Sequence, residues 1–465
     1  MFRSALFSLI CISAAVAQSF AQTPDWPKVN AETLKHYSEL IHIDTTAGNE
    51  TSVVDYVKKV FDAEGISYKV LAKDPGRANI VARIKGNGGK KPLLIVGHSD
   101  TVKVDAAKWT YPPFSATRKD GYIYGRGTID DKDNLTAAMM TMILLKRQKT
   151  PLDRDVIFLS EAGEEGATAP GIEFLVNEHW ADIEAEICLA EGGSVSRKAG
   201  QVRFALIQTA EKLPTGLKLV SHGPAGHGSV PLRDNAILHL SRAVEKIAMW
   251  DPPMRFNDTT RYYFEKLAGV STPEEAKRYN GLFNPETAQA SRDYLAQYEP
   301  RNYSMLHTSI SPNMFTAGYQ VNVIPSTAEA TLDVRALPDE DIPAFIELMK
   351  KQINDPSVEV VRNARNARPK TEPTSIKSDV FKAIEAANKK VYNSITIPVM
   401  ATGATDMSFL RAKGVQCYGI GPMIDDEDGP KGFGAHSDQE RILEEGLYKF
   451  VQLNWEAVTS IAGKK

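Results

Sequence analysis

Histidine and carboxylate side chains in this chain follow short segments that predict buried strands. The segments 91–95, 155–160 and 185–190 are mostly apolar and have the length of strands. The polar residues that follow them are His98, Asp100, Glu161, Glu164, Glu165 and Glu191. Because ligands collect at the carboxyl ends of the strands in a parallel α/β sheet, we expect these side chains to lie close together.

Two further candidates lie in glycine-rich stretches. Asp130 lies in the stretch 125–132, ahead of a helical pattern, and His436 ends the stretch 432–436. A single loop histidine or carboxylate is more often a hydrogen-bonded or solvated residue than a ligand. Two histidines together with several carboxylates indicate a mixed nitrogen and oxygen site for a divalent transition metal, zinc first.

These residues belong to a series of short motifs. In chain order the motifs are His98-Ser99-Asp100, residues 125–132, Gly163-Glu164-Glu165-Gly166, Glu191-Gly192-Gly193, Gly226-His227-Gly228-Ser229, Asn322-Val323-Ile324-Pro325, Asp333-Val334-Arg335 and His436. The series resembles the motifs of the zinc-dependent amidohydrolase and exopeptidase family. That family includes carboxypeptidase G, acetylornithine deacetylase, succinyl-diaminopimelate desuccinylase, aminoacylase and carnosine dipeptidase.

The resemblance implies a site for two Zn²⁺ ions, with Co²⁺ or Mn²⁺ as substitutes. By resemblance, Asp130 bridges the two metals. His98 and Glu191 complete the site of one metal, and Glu165 and His436 complete the other. Separate ligands from several strand ends are what a two-metal site requires.

Two catalytic roles follow for carboxylates near these ligands. Glu164 and Glu165 are neighbours, so in an extended segment their side chains point to different sides. Glu164 can therefore stay free of metal and act as the general base. Asp100 comes two residues after His98 and fits a carboxylate that orients the imidazole of that ligand.

The resemblance also implies residues that contact the substrate. His227 resembles the family histidine that reaches the active site from the inserted domain of the partner subunit, where it would serve catalysis as the oxyanion donor, and this implies a homodimer. Asn322 and Arg335 resemble positions that bind the free carboxylate of the substrate, and Gly403 is expected to shape the same pocket. A loop cap for Asn322 and a surface ion pair for Arg335 are the structural alternatives.

Two residues depart from the family pattern beside the ligands. Asp133 stands where the family usually has glycine, and Ala190 stands where many members have asparagine or aspartate. Asp133 is expected near the start of a helix, where its charge would suit the helix dipole. Neither change removes a ligand, so we expect metal binding to be retained.

The chain order predicts an α/β protein with an inserted domain. Helical patterns at 31–43 and 53–64 alternate with strands at 68–71 and 79–84. We expect a catalytic domain, residues 22–210 and 358–465, with a mostly parallel central sheet flanked by helices. Residues 211–357 are expected to form a smaller α/β sandwich that serves as a lid and dimerisation domain.

Two stretches next to that insertion carry less defined expectations. Residues 251–303 contain helical patterns and are too long for a simple connection. We interpret them as a helical embellishment that packs on the fold. The basic stretch 362–374 is interpreted as a solvated linker that returns to the first domain.

Composition agrees with a globular enzyme of small substrates. The chain has 465 residues, of which 42% are hydrophobic and 24% charged, with a formal net charge of −3. This charge gives no reason to expect nucleic acid or an anionic membrane as a partner. Cys188 and Cys417 lie in apolar segments, where buried free thiols are expected rather than a disulfide.

The N-terminus resembles an export signal. Arg3 precedes the apolar segment 5–16, and patterns of small residues end at Ala17 and Ala21. We expect residues 1–21 to be removed, which leaves a periplasmic or secreted protein without a membrane anchor.

These expectations combine into one function. We predict a two-zinc hydrolase of the amide bond in small substrates with a free carboxylate, namely dipeptides or N-acyl amino acids. A deacetylase or desuccinylase of N-acyl diamino acids is the alternative within enzymes. An exported metal- or peptide-binding protein without catalysis is disfavoured because all five ligands and the base are present.

Overall fold

The structure is a computed structural model, and it describes residues 23–46, 48–363 and 368–464. The predicted export signal lies outside these residues. Within the described part of the chain, no helix combines the length and the apolar character that crossing a bilayer requires.

Helices and strands alternate along the described chain. The helices are α1 Trp26–His42, α2 Glu50–Glu64, α3 Lys132–Gln148, α4 Ile172–Glu178, α5 Trp180–Ile183, α6 Ala236–Ala248, α7 Asp258–Ala268, α8 Pro273–Gly281, α9 Ala288–Tyr298, α10 Pro300–Ser304, α11 Ile342–Ile353, α12 Asp379–Tyr392, α13 Met407–Ala412 and α14 Glu444–Ala462. The strands are β1 Tyr68–Leu71, β2 Asn79–Ile84, β3 Leu93–His98, β4 Thr117–Lys119, β5 Tyr122–Tyr124, β6 Val156–Glu161, β7 Ile187–Ala190, β8 Ser194–Lys198, β9 Gln201–Glu211, β10 Leu213–His222, β11 Gly226–His227, β12 Ser309–Ala317, β13 Val323–Ile324, β14 Thr327–Ala336, β15 Val358–Asn363, β16 Ile395–Ala401, β17 Gln416–Gly419, β18 Met423–Asp425 and β19 Arg441–Leu443.

The larger sheet is parallel at its centre. Its strand order is β1-β2-β6-β3-β7-β17-β9-β8-β18, and β16 pairs with β9. The neighbours β6, β3, β7 and β17 are parallel, whereas β2 pairs antiparallel with β6 at one flank. The carboxyl ends of β3, β6 and β7 therefore meet at one edge, as the pattern of the sequence predicted.

Strand β3 is buried on both faces because its side chains alternate between two hydrophobic clusters. Leu93 and Ile95 pack with α2 and α3, while Leu94 and Val96 pack with α4 and α13 on the other face. His98 ends this strand and is 2% exposed. Burial on both faces fixes the strand, so the position of His98 is fixed with it.

The smaller sheet is antiparallel, in the order β12-β14-β10-β15. Helices α6 and α11 cover one of its faces and bury the apolar side chains of β10 and β14. Strand β15 belongs to this sheet and continues to Asn363, past the predicted boundary at residue 357. The limits of the inserted domain stay a prediction.

The helices of the segment 251–303 pack against the larger sheet. Phe264 and Leu267 of α7 and Leu295 of α9 share a hydrophobic cluster with Ile397 and Val399 of β16. The segment thus covers one end of the larger sheet, as a helical embellishment would. Cys188 and Cys417 are paired across β7 and β17, and both are buried free thiols.

Candidate active site

His98, Asp130 and Glu191 converge at the carboxyl edge of the larger sheet. Their ligand atoms lie within 4.8 Å of one another, so the three side chains could hold a metal ion. Nε2 of His98 is 3.0 Å from Oδ1 of Asp130. The backbone N–H of His98 donates to Oδ2 of Asp131 at 3.1 Å, which ties the end of β3 to the segment that carries Asp130.

In a second group, Asp130, Glu165 and His436, the ligand atoms also lie within 4.8 Å of one another. Nε2 of His436 is 3.0 Å from Oδ2 of Asp130 and 3.0 Å from Oε1 of Glu165. Asp130 thus belongs to both groups, and it turns a different oxygen towards each histidine. This geometry suits a carboxylate that bridges two cations.

The donor set fits divalent transition metals. It contains two imidazole nitrogens and carboxylate oxygens, and the two groups include no cysteine. Burial, followed by the charge of the neighbouring Glu164, raises the pKa of Glu191 well above its usual range. Carboxylates packed this closely are poorly stabilised by the chain alone, and cations held between them would supply the missing positive charge.

Asp100 joins His98 to the loop that carries Glu164 and Glu165. Its Oδ1 accepts hydrogen bonds from the backbone N–H groups of Gly163 at 2.9 Å and Glu164 at 3.1 Å. Its Oδ2 accepts from the N–H of Glu165 at 3.1 Å, and Oδ1 is 3.5 Å from Nδ1 of His98. Burial opposes ionisation of Asp100, but its hydrogen bonds, first that to His98, lower the pKa below the usual value.

Glu164 lies beside the two groups without belonging to either. Nη2 of Arg368 is 3.2 Å from its Oε1, and Nη1 of Arg368 is 2.5 Å from Oδ1 of Asp406. Burial, followed by the charge of Asp406, raises the pKa of Glu164, while Arg368 opposes this shift. A carboxylate with a raised pKa that stays out of the ligand groups has the properties of a general base.

Arg368 corrects the interpretation of the stretch 362–374. That stretch was expected to be a solvated linker, but the side chain of Arg368 is 12% exposed and pairs with two carboxylates. The expectation is wrong at this residue because Asp406 is buried and Glu164 is mostly buried, and both carboxylates need a cation. The basic composition of this stretch could not reveal the contact of Arg368 with Glu164, since Glu164 is 204 residues away in the chain.

A cleft of about 240 Å³ opens beside Glu164 and Glu165. Arg335 of β14, Arg368, Pro214 and Ala404 line its other sides. Nε of Arg335 lies 2.7 Å from Oδ1 of Asp333, which holds the guanidinium at the cleft. Arg335 therefore lines the same cleft as Glu164, and its role in binding the substrate stays a prediction. Gly403 is exposed next to Ala404, and an added Cβ there would meet no atom within 4 Å.

His227 and Asn322 lie together, but neither lines this cleft. His227 of β11 pairs with Val323 of β13, the residue after Asn322, and the N–H of Gly228 donates to the carbonyl of Asn322 at 2.8 Å. Both residues are exposed, and Oγ of Ser229 lies 2.7 Å from Nδ1 of His227. Their roles at a partner's site stay predictions.

The model of peptidase family M20/M25/M40 matches residues 94–459. The chain belongs to this family. It is 30% identical over 330 residues to the probable succinyl-diaminopimelate desuccinylase of Staphylococcus aureus strain MSSA476, which covers 70% of this chain and 72% of that protein. It is 27% identical over 371 residues to the human N-fatty-acyl-amino acid synthase/hydrolase PM20D1, with 78% and 73% covered.

Solved structures share the fold of this M20 family member. An M20 family metallo-carboxypeptidase from Sulfolobus solfataricus superposes with a TM-score of 0.68 at 21% identity, over 92% of this chain and 98% of that chain. The Bacillus subtilis protein YXEP, described as a dinuclear metal-binding peptidase, gives a TM-score of 0.61 at 13% identity, over 94% and 99%. The predicted family, the α/β fold and an enzyme that hydrolyses amide bonds are confirmed.

Proposed function

We propose that this M20 enzyme uses two Zn²⁺ ions to hydrolyse the amide bond of a dipeptide or an N-acyl amino acid. The observation that carries the proposal is the position of Asp130, whose two oxygens each face a different histidine. Glu164 stands beside this pair of groups and opens onto the same cleft as Arg335. The proposed base and the proposed carboxylate receptor therefore line one cleft, and Glu165, which also lines it, belongs to one of the two candidate metal groups.

In this proposal Glu164 transfers a proton from the attacking water to the leaving amine. Bound metals would acidify a water and polarise the scissile carbonyl. Oε1 of Glu164 is held by Arg368, so Oε2 is the atom that accepts the proton of the attacking water. The same carboxyl then delivers this proton to the leaving amine, as general acid–base catalysis requires.

Arg335 would orient the substrate through its carboxylate. Asp333 holds one side of the guanidinium through Nε and Nη2, at 2.7 and 3.2 Å. The planar guanidinium can then pair with a substrate carboxylate as well. The cleft separates Arg335 from Glu164, so a carboxylate bound by Arg335 would direct the amide bond towards the base.

A second candidate is the removal of an acyl group from an N-acyl diamino acid. The desuccinylase relative at 30% identity favours it, and the named relatives differ in the acyl group that they process. Both candidates use the same metals, base and carboxylate receptor, and they differ in what lies on the acyl side of the bond.

The deciding experiment is amine release from a mixed panel by the metal-stripped protein, before and after zinc is restored. The panel contains alanyl-alanine, N-acetyl, N-succinyl and N-oleoyl amino acids, and N-succinyl-diaminopimelate. Zinc-dependent turnover that disappears in Glu164→Gln, while two metals remain bound, is the expected result. The preferred acyl group separates the two candidates. No turnover of any member by a two-metal protein would refute both.

We further propose a homodimer formed at the edge of the smaller sheet. Strand β12 is an edge strand with exposed Met314 and Phe315, and Tyr319 and Val321 are exposed next to it. An apolar sheet edge of this kind favours pairing with a second copy. A homodimer by light scattering that becomes a monomer in Phe315→Asp is expected. A wild-type monomer would refute the dimer and the role of His227 in the partner subunit's site.

An export signal and release without an anchor complete the proposal. Its support is the sequence of residues 1–21 alone. Fractionation of cells that express the full chain is expected to recover a protein shortened by this segment outside the cytoplasm. An unshortened cytoplasmic product would refute it.

A further inference from the structure

Lys212 is a buried lysine at the point where the chain passes from the larger sheet to the smaller one. It lies between the end of β9 and the start of β10, with 0% of the residue exposed. Its Nζ donates to the carbonyl of Ser304 at 2.9 Å, to Oγ of Ser304 at 3.1 Å and to Oγ of Ser309 at 2.7 Å. Lys212 thus joins two separate passages of the chain between the sheets.

The two serines belong to different parts of the fold. Ser304 ends α10, and the next residues, Met305 and Leu306, are buried in the cluster that covers β16 of the larger sheet. Ser309 begins β12 of the smaller sheet. One ammonium group therefore connects a segment fixed on the larger sheet to the first residue of a strand in the smaller sheet.

The hydrogen bonds of Lys212 also fix the strands on either side of Arg335. In the smaller sheet, Arg335 is paired with Ser309 of β12 on one side and with Pro214 of β10 on the other. Lys212 binds the first of these partners and precedes the second by two residues. The backbone on both sides of Arg335 is thus fixed relative to Lys212.

The cost of burying this lysine indicates that it serves more than packing. All three acceptors are neutral, and a buried ammonium without a carboxylate partner is expensive. Burial, followed by the positive charge of Arg335, lowers the pKa of Lys212 to about 7. An apolar residue of the same length would fill the space without this cost, but it could not hold Ser304 and Ser309 together.

We propose that Lys212 is a positioning residue that sets the distance between Arg335 on the smaller sheet and Glu164 on the larger one. This inference rests on the proposed role of Arg335 in binding the substrate carboxylate. Lys212 itself does not line the cleft. It acts by fixing the smaller sheet, and with it Arg335, across the cleft from the base.

The first test uses Lys212→Met on alanyl-alanine and on alanyl-alanine amide, which lacks the carboxylate. We expect KM for the acid to rise about tenfold with kcat nearly unchanged, because the weakened contact with the carboxylate is made equally in the ground state and in the transition state. KM for the amide should match the wild type. Arg335→Gln should show the same pattern, and the double variant should be no worse than Arg335→Gln alone.

Two variants separate positioning from general damage. Lys246→Met removes a hydrogen bond to the carbonyl of Ile353 within the smaller domain, away from the junction, and should leave both substrates unaffected. Ser309→Ala removes one acceptor and keeps the lysine, so KM for the acid should rise about threefold. This variant provides the test if Lys212→Met fails to fold. Equal losses for acid and amide would overturn the proposal.

A second measurement needs no substrate. Spin labels at Lys59→Cys on the larger domain and Lys351→Cys on the smaller one report their separation, since Cys188 and Cys417 are buried. Lys212→Met should broaden and shift this distance distribution, and Lys246→Met should not. An inactive wild type would refute the proposed function but not the positioning role of Lys212. The spin-label distances would then decide whether Lys212 fixes the two domains relative to each other. An unchanged distribution in Lys212→Met would overturn it.

Discussion

Arg368 and Glu164 form a part-buried ion pair at the candidate site, with Nη2 of Arg368 3.2 Å from Oε1 of Glu164. The other terminal nitrogen of Arg368 binds Asp406, so one guanidinium neutralises two carboxylates. Arg368 thereby fixes the orientation of Glu164 and leaves one of its oxygens for the substrate side. The arginine is part of what makes Glu164 suitable as a base.

Replacing Arg368 by glutamine should therefore impair both stability and turnover. Two buried carboxylates would lose their partner, at a cost of about 3 kcal/mol in the free energy of unfolding. With Glu164 no longer held, kcat should fall at least about tenfold. Steady-state kinetics and chemical denaturation measure the two effects. The control is Arg362→Gln, an exposed arginine near the end of β15. Wild-type turnover in Arg368→Gln would contradict the assigned contact.

The shared position of Asp130 predicts unequal effects on metal content. Asp130→Asn should remove both metals, because this residue belongs to both groups, whereas Glu165→Gln and Glu191→Gln should each weaken the binding of one. Elemental analysis after dialysis at limiting zinc gives the number of metals per chain. Glu161→Gln is the matched control, since Glu161 is buried nearby but lies in neither group. Retention of two metals by Asp130→Asn would exclude the bridging role.

The sequence predicted the central strands and the convergence of the candidate ligands because both depend on local patterns. The apolar run before His98 forms β3, and its burial on two faces follows from the absence of polar residues in it. Parallel pairing of β3 with β6 and β7 then brings His98, Glu165 and Glu191 to one edge. Asp130 and His436 lie far apart in the chain, and only the series of family motifs predicted that they would join this group.

Contacts that depend on the three-dimensional packing of distant segments could not be predicted. Arg368 looked like one more residue of a basic linker, since nothing near it in sequence shows that it meets Glu164. Strand β15 was likewise outside the predicted insertion, because its pairing with β10 spans the whole smaller domain. Lys212 gave no signal, since its acceptors, Ser304 and Ser309, are neutral and about 90 residues away.

Asp133 carries a cost that its substitution should relieve. It was expected to lie near the start of a helix, and it does lie in the first turn of α3, but it is 0% exposed. The backbone N–H groups of Asp133 and Asn134 face its carboxyl group, but neither makes a hydrogen bond of normal geometry with it. Burial, followed by the charge of Asp131, raises its pKa well above the usual range. An unpaired buried polar group is destabilising.

Asp133→Ala should raise the free energy of unfolding by about 1 kcal/mol or more, because alanine suits a buried helix position. Guanidinium chloride denaturation measures it. Asp293→Ala, at an exposed position of α9, should change stability by less than about 0.5 kcal/mol. A destabilised Asp133→Ala would show that the carboxyl has a stabilising partner.

His239 of α6 predicts a pH dependence of stability in the smaller domain. Its Nδ1 is 2.6 Å from Asp355 and its Nε2 is 3.0 Å from Asp234; these contacts, first that with Asp355, raise its pKa above 6.5. The stabilisation is complete below pH 6.5 and is lost as pH rises through the folded-state pKa, because the folded protein binds the proton more tightly.

His239→Gln should therefore lower the free energy of unfolding by about 0.5–1 kcal/mol near pH 6 and by less near pH 9. Denaturation at both pH values measures this difference, and His222→Gln, whose ring is 3.8 Å from Glu359 at the surface, is the control. A loss of stability in His239→Gln that is equal at both pH values would mean that the contacts do not depend on the proton.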